Sequence, residues 1–115
     1  MSKPDQMSKS YVMSDDAVRF ATMIMKGQGV NNEDAVIIAK CLVEADLRGV
    51  HTHGLSRLPV YVERVQRGMV KAVPNMKLEK PVAACASLDG DNGFGFLVGR
   101  KAMHEAITMA DSCGV

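Results

Sequence analysis

Tryptophan is absent from these 115 residues, and only two tyrosines and three phenylalanines stand in for it. Base-stacking platforms need such rings, and a formal net charge of +1 offers phosphates no basic surface, so no nucleic-acid partner is expected. No apolar run approaches the ~18 residues of a membrane span. The polar start, Met1 to Ser10, has no apolar signal core. No membrane partner is expected, and the chain reads as cytoplasmic. Cysteine is limited to Cys41, Cys85 and Cys113, widely spaced and without a Cys-x-x-Cys pair. That pattern excludes a disulfide frame and suits reduced, buried thiols. His51 and His53 lack a third ligand at metal spacing, so no metal site is expected.

What is present is ordinary for one small soluble domain: 47% hydrophobic and 23% charged residues, with nine methionines that read as core filler. Residues 1–13 read as a mobile tail and 14–115 as the folded part. Ser14 is placed to cap a first helix, with Asp15 and Asp16 in its first turn. Ala17, Phe20, Ala21, Ile24 and Met25 recur at helical spacing and predict a helix packed by its Phe20 face, stopped by Gly27 and Gly29. Asn31 or Asn32 caps a second helix. Its run from Ala35 to Leu47 is apolar nearly all round, the pattern of a central buried helix, and Gly49 stops it.

Residues 70 to 92 change character. Pro74 and Pro81 punctuate two short strands, the first half exposed and the second, Val82 to Leu88, more buried. Asp89-Gly-Asp-Asn-Gly93 is a turn. Phe96, Gly99, Ala102, Met103, Ala106, Ile107, Ala110 and Cys113 then share one helical stripe. Gly114 breaks that helix, and Val115 reads as the start of a further element. The expected fold class is α/β, the front part of a larger protein.

The chemistry concentrates between Ala45 and Tyr61. Thr52 is placed to cap a third helix from about His53 to Gln66, with Pro59 kinking it or delaying its start. On such a helix His53, Arg57 and Tyr61, four apart, would form one strip of imidazole, guanidinium and phenol. Arg57 could hold a small carboxylate with two parallel hydrogen bonds, and His53 could move a proton on the neighbouring carbon–oxygen or carbon–nitrogen bond. Thr52 could orient the imidazole or cap the helix. The bland alternative is a solvated His-x-x-x-Arg pair. His104 reads as a surface residue, and Gly90 to Gly95 reads mainly as a turn and helix entry, its glycines in the reverse order of a dinucleotide fingerprint.

The segment Glu44-Ala-Asp-Leu-Arg-Gly-Val-His-Thr-His-Gly-Leu-Ser-Arg-Leu-Pro-Val-Tyr61 resembles the Asp-x-Arg-Gly-x-x-Ser-His-Gly-x-x-Arg motif of the type-2 malate/L-lactate dehydrogenases. Gly29-Val-Asn-Asn-Glu-Asp-Ala35 and Leu88-Asp-Gly-Asp-Asn-Gly-Phe-Gly95 extend the similarity, which covers about Ser14 to Val115. The resemblance implies a non-Rossmann fold, a homodimer, and an oxidoreductase that uses NAD or NADP on small 2-keto or 2-hydroxy acids. By motif position His53 would be the proton donor, Thr52 would replace the family's serine beside it, Arg57 would bind the substrate carboxylate, and Tyr61 would line the pocket. Residues 14–115 would be the N-terminal part of the family domain, with most cofactor-binding residues beyond Val115. A non-catalytic helical interaction module or an inactive fragment is the competing expectation.

Overall fold

The structure is a computed structural model, described here for residues 10–115; the expected tail over 1–13 lies mostly outside the described residues. Helix α1 (Ser14–Gly27) and helix α2 (Asn32–Leu47) form an antiparallel pair closed by a short link through Gly29, whose φ of +90° suits glycine. Two single 3-10 turns, His51–His53 and Leu55–Arg57, lead into α3 (Leu58–Gln66). Strands β1 (Lys77–Val82) and β2 (Cys85–Asp89) pair antiparallel, with Leu78 opposite Leu88 and an irregular register between Glu79 and Val82. Helix α4 (Gly95–Cys113) completes the order and ends on Gly114 at φ 80°. Helices with a short sheet agree with the α/β expectation.

Helix α2 is the centre. Asn31 caps it, its Oδ1 accepting from the Asp34 N–H at 2.9 Å, and Glu33 and Asp34 add negative charge where the dipole favours it. Ala35, Ile38, Ala39 and Leu42 are completely buried against Ala21 and Met25 of α1, Leu58 of α3, and Phe94 and Leu97 at the start of α4. The burial is one-sided, however. Lys40, Cys41, Glu44 and Leu47 face solvent, so α2 is central without being enclosed.

Several expectations are corrected. Ser14 is the first helical residue rather than the cap; Met13 holds the cap position and makes no side-chain cap bond. Phe20 is 59% exposed. The buried positions Ala17, Ala21 and Met25 advance by 40° per pair at 100° per residue, and Phe20 falls on the flank of that face rather than at its centre. All three cysteines are exposed, not buried. The second strand is hardly more buried than the first, because a turn at Ala83-Ala84 splits the apolar run and only Ala86 and Leu88 face inward. Of the expected α4 stripe Phe96 packs against the core, beside the buried Phe94 and Leu97, whereas Met103 and Ile107 are 62% and 56% exposed. Among the described residues no helix is long and apolar enough to cross a membrane.

Candidate functional site

The segment after α2 is shaped by one carboxylate. Gly49 at φ 78° turns the chain away from the helix, and the Val50 N–H donates back to the Ala45 carbonyl at 2.8 Å. The loop then folds over the end of α2. Asp46 reaches it with both oxygens: Oδ2 accepts the Leu55 N–H at 2.8 Å, and Oδ1 accepts from His51 Nδ1 at 3.0 Å. Ser56 Oγ donates to the His51 carbonyl at 2.8 Å and closes the turn from the other side. Gly54 is buried between the two 3-10 turns, and a Cβ there would overlap the Asp46 carboxylate.

The resulting geometry differs from a single helical strip. His53 ends the first 3-10 turn, Arg57 ends the second, and Tyr61 lies in α3. The break between His53 and Arg57 is Gly54, whose extended ψ of −149° no helix continues. Pro59, lacking an N–H, sits in the first turn of α3, so the helix begins at Leu58. The positive end of its dipole therefore lies at Arg57, its N-cap, rather than at His53. Thr52 caps no helix. Its Oγ1 lies 2.9 Å from His53 Nδ1, which settles its hydroxyl on the imidazole.

Arg57 is exposed and, among the described residues, its guanidinium forms no ion pair. Tyr61 is half-buried. Its ring stands edge-on to Phe94 and Phe96, at centroid distances of 6.0 and 5.6 Å, with the Arg64 guanidinium 6.0 Å above it. The phenol thus ties α3 to the start of α4.

Burial works to raise the pKa of Asp46, but the bond from the Leu55 N–H, the His51 hydrogen bond and the His51 charge outweigh it and hold the carboxyl below its ordinary value. Asp91 is also held low, by Lys71 Nζ at 2.6 Å and then by the Asn75 N–H at 2.9 Å. That second carboxylate occupies the Gly90–Gly95 loop, where Asp91 and Asn92 both take positive φ. The Asp91 N–H binds Asp89 and the Gly93 N–H binds the Gly90 carbonyl, while Pro74 and Val98 fill the space beside Gly93 and Gly90. With two of the loop's amides spent internally and a carboxylate among them, the arrangement does not favour a dinucleotide's phosphates.

Two concavities flank these elements. One of about 810 Å³ lies between α2, residues 73–76 and α4, with Arg100, Lys101 and the exposed His104 on its wall. The other, about 630 Å³, lies over Asp46 and His51, with Tyr11, Val12 and Leu47 as its apolar wall. His53 and Arg57 line neither.

Reading the sequence alone missed Asp46, His51 and Gly54 as a unit. One signal was available: an acidic residue beside the last position of a helix, where the dipole disfavours it.

The family model described as malate/L-lactate dehydrogenase matches residues 12–115. The L-sulfolactate dehydrogenase of Methanocaldococcus jannaschii is 42% identical over 92 residues, which are 80% of this chain and 27% of that protein. The ureidoglycolate dehydrogenase (NAD(+)) of Escherichia coli is 37% identical over 87 residues, 76% of this chain and 25% of that one. Among solved structures, malate dehydrogenase from Pyrococcus horikoshii superposes with a TM-score of 0.83 at 37% identity, covering 90% of this chain and 32% of that chain. The chain thus spans about a quarter to a third of the length of the relatives it matches.

Proposed function

The chain belongs to the malate/L-lactate dehydrogenase family, and from that premise we propose that it carries the proton-transfer and carboxylate-binding residues of a cytoplasmic, homodimeric oxidoreductase acting on small 2-hydroxy and 2-keto acids with NAD or NADP. The observation that carries this reading is the hydroxyl–imidazole contact of Thr52 and His53, 2.9 Å long, on a loop that also bears the exposed Arg57. A nicotinamide cofactor, when bound, supplies or takes up the hydride at the substrate's C2.

The chain's own residues handle charge and protons. During reduction, negative charge develops on the oxygen attached to C2. On this reading the His53 Nδ1–H donates to Thr52 Oγ1, 2.9 Å away, and Nε2 is the atom that gives the proton to that oxygen. In the reverse direction Nε2 accepts the hydroxyl proton while Nδ1–H keeps the same partner. Arg57 binds the substrate carboxylate with two parallel hydrogen bonds, reinforced by the N-terminal end of α3, and so fixes the reacting carbon by orientation. Tyr61, braced by Phe94 and Phe96, forms part of the pocket wall.

The relatives' names favour a dehydrogenase over a non-catalytic module, and they span malate, sulfolactate and ureidoglycolate, all small 2-hydroxy acids. The test is turnover of purified protein with NADH or NADPH and a panel of 2-keto acids, each paired with its uncharged ester or amide. Oxidation of the cofactor by at least one keto acid, with its uncharged counterpart at least tenfold slower, is expected. No turnover with any member of the panel would overturn the reading.

A further inference from the structure

Asp46 is an anomaly for stability. It is the penultimate residue of α2, where the unsatisfied carbonyls disfavour a negative charge, and no basic residue stands in the last turn to offset it. Helix energetics alone would choose a neutral or basic side chain there. A residue that breaks a local rule is compensated elsewhere, and the compensation is visible. Both carboxylate oxygens are engaged across the gap to the following loop, one by the Leu55 N–H at 2.8 Å and one by His51 Nδ1 at 3.0 Å. The loop backbone can approach this closely because position 54 has no Cβ.

The bonds fall on both sides of His53. His51 precedes it by two residues and Leu55 follows it by two, so the carboxylate pins the ends of a five-residue arch with the imidazole at its crown. The intervening backbone bonds are short-range: His53 N–H to the Val50 carbonyl at 3.0 Å and Gly54 N–H to the His51 carbonyl at 3.4 Å. These shape each turn but do not fasten the arch to the helix. Within the arch His53 is exposed, and its imidazole touches only the hydroxyl of its neighbour Thr52 by hydrogen bond among the described residues.

We propose that Asp46, seated against Gly54, is the positioning residue for His53: it fastens the His51–Leu55 arch to the rigid end of α2 and thereby sets where the proton-transferring imidazole stands. This rests on the dehydrogenase reading for the word "proton-transferring", but the fastening itself does not. Gly54 is the complementary half of the device. Its φ of −91° lies outside the left-handed region that demands glycine, and the obstacle that a Cβ there would meet is the Asp46 carboxylate.

That distinction gives a double-mutant test. Amide hydrogen exchange at Leu55 is followed by NMR in the full chain and in Asp46→Ala, Gly54→Ala and the double variant, with the amides of α1 and α2 reporting that the core is intact. Asp46→Ala should speed exchange at Leu55 at least tenfold. Gly54→Ala should do the same while Asp46 is present, and should add less than twofold once Asp46 is alanine. Asp46→Asn, which keeps an oxygen for the Leu55 N–H, should restore most of the protection. Unchanged exchange in Asp46→Ala, or fully additive effects in the double variant, would overturn the proposal.

Turnover separates this claim from the one beneath it. In an active wild type, Asp46→Ala should lower kcat at least tenfold with KM for the keto acid changed less than threefold, since Arg57 lies outside the arch, and Asp46→Asn should recover most of the loss. Wild-type kcat in Asp46→Ala overturns the positioning role and leaves the dehydrogenase reading standing. An inactive wild type overturns that reading, and the Leu55 exchange data still decide whether Asp46 fastens the arch.

Discussion

The carboxylate of Asp46 occupies the space that a side chain at Gly54 would fill. Gly54 follows Asp46 by eight positions, yet the end of a helix and the middle of a loop are in contact through them. The loop that carries His53 is therefore shaped by its fit to α2 as well as by its own turns. This contact explains why the histidine and the arginine, four apart in sequence, do not lie on one helix.

Acid should loosen this loop. A carboxyl whose pKa is lower folded than unfolded adds stability above its unfolded value and loses it as pH falls through the folded one. Asp46 is held below its ordinary value of 3.8. Loop order should therefore be complete at neutral pH and weaken only as pH falls below about 3.8, the neutral carboxyl still keeping an oxygen for the Leu55 N–H as asparagine would, read by Leu55 amide exchange or by the chemical shifts of Leu55 and His51. Protection at Leu55 that is unchanged well below that pH would show that the carboxylate charge does not matter there.

Thr22 offers a stabilising change. Its Oγ1 is buried in α1 and has no hydrogen-bond partner among the described residues. Thr22→Val keeps the shape and removes an unsatisfied polar atom, for a gain of about 1 kcal/mol. A rise of several degrees in Tm is the expected outcome; a fall would mean that the hydroxyl has a role in the fold.

The two ends of the apolar pattern should respond differently to truncation. Ile38 is completely buried in the core around α2, so Ile38→Ala should cost about 2–5 kcal/mol by chemical denaturation. Ile107 is 56% exposed on α4, and Ile107→Ala in the same chain should stay within about 0.5 kcal/mol. Comparable losses at both positions would show that the far half of α4 is packed in solution.

Much of the framework was readable from residues. The Asn31 cap, the glycine stops at Gly29, Gly49 and Gly114, and the turn before α4 each follow from local chemistry that needs no tertiary partner. Burial was less legible. Periodicity identifies an apolar stripe without saying whether anything lies against it, which is why Met103 and Ile107 share a face with Phe96 and yet stand in solvent. Phe20 failed for a related reason, since a large ring on the flank of a face looks, in sequence, like its centre. In the candidate site the residue types were legible and their arrangement was not. Helical spacing joined His53 to Arg57, whereas a long-range carboxylate at Asp46 and a proline at position 59 divided them between two turns. The Thr52–His53 contact survived because neighbours need no help from the fold to meet.

The central claim is that His53 moves the proton and Arg57 holds the acid, and kinetics of His53→Ala and Arg57→Ala with the best keto acid test it most directly. Loss of the general acid should lower kcat about 10²–10⁴-fold. Loss of the guanidinium should lower kcat/KM about 10–100-fold, as expected for charged hydrogen bonds, and Arg57→Lys should recover only part of it. Wild-type kcat/KM in both alanine variants would contradict the assignment.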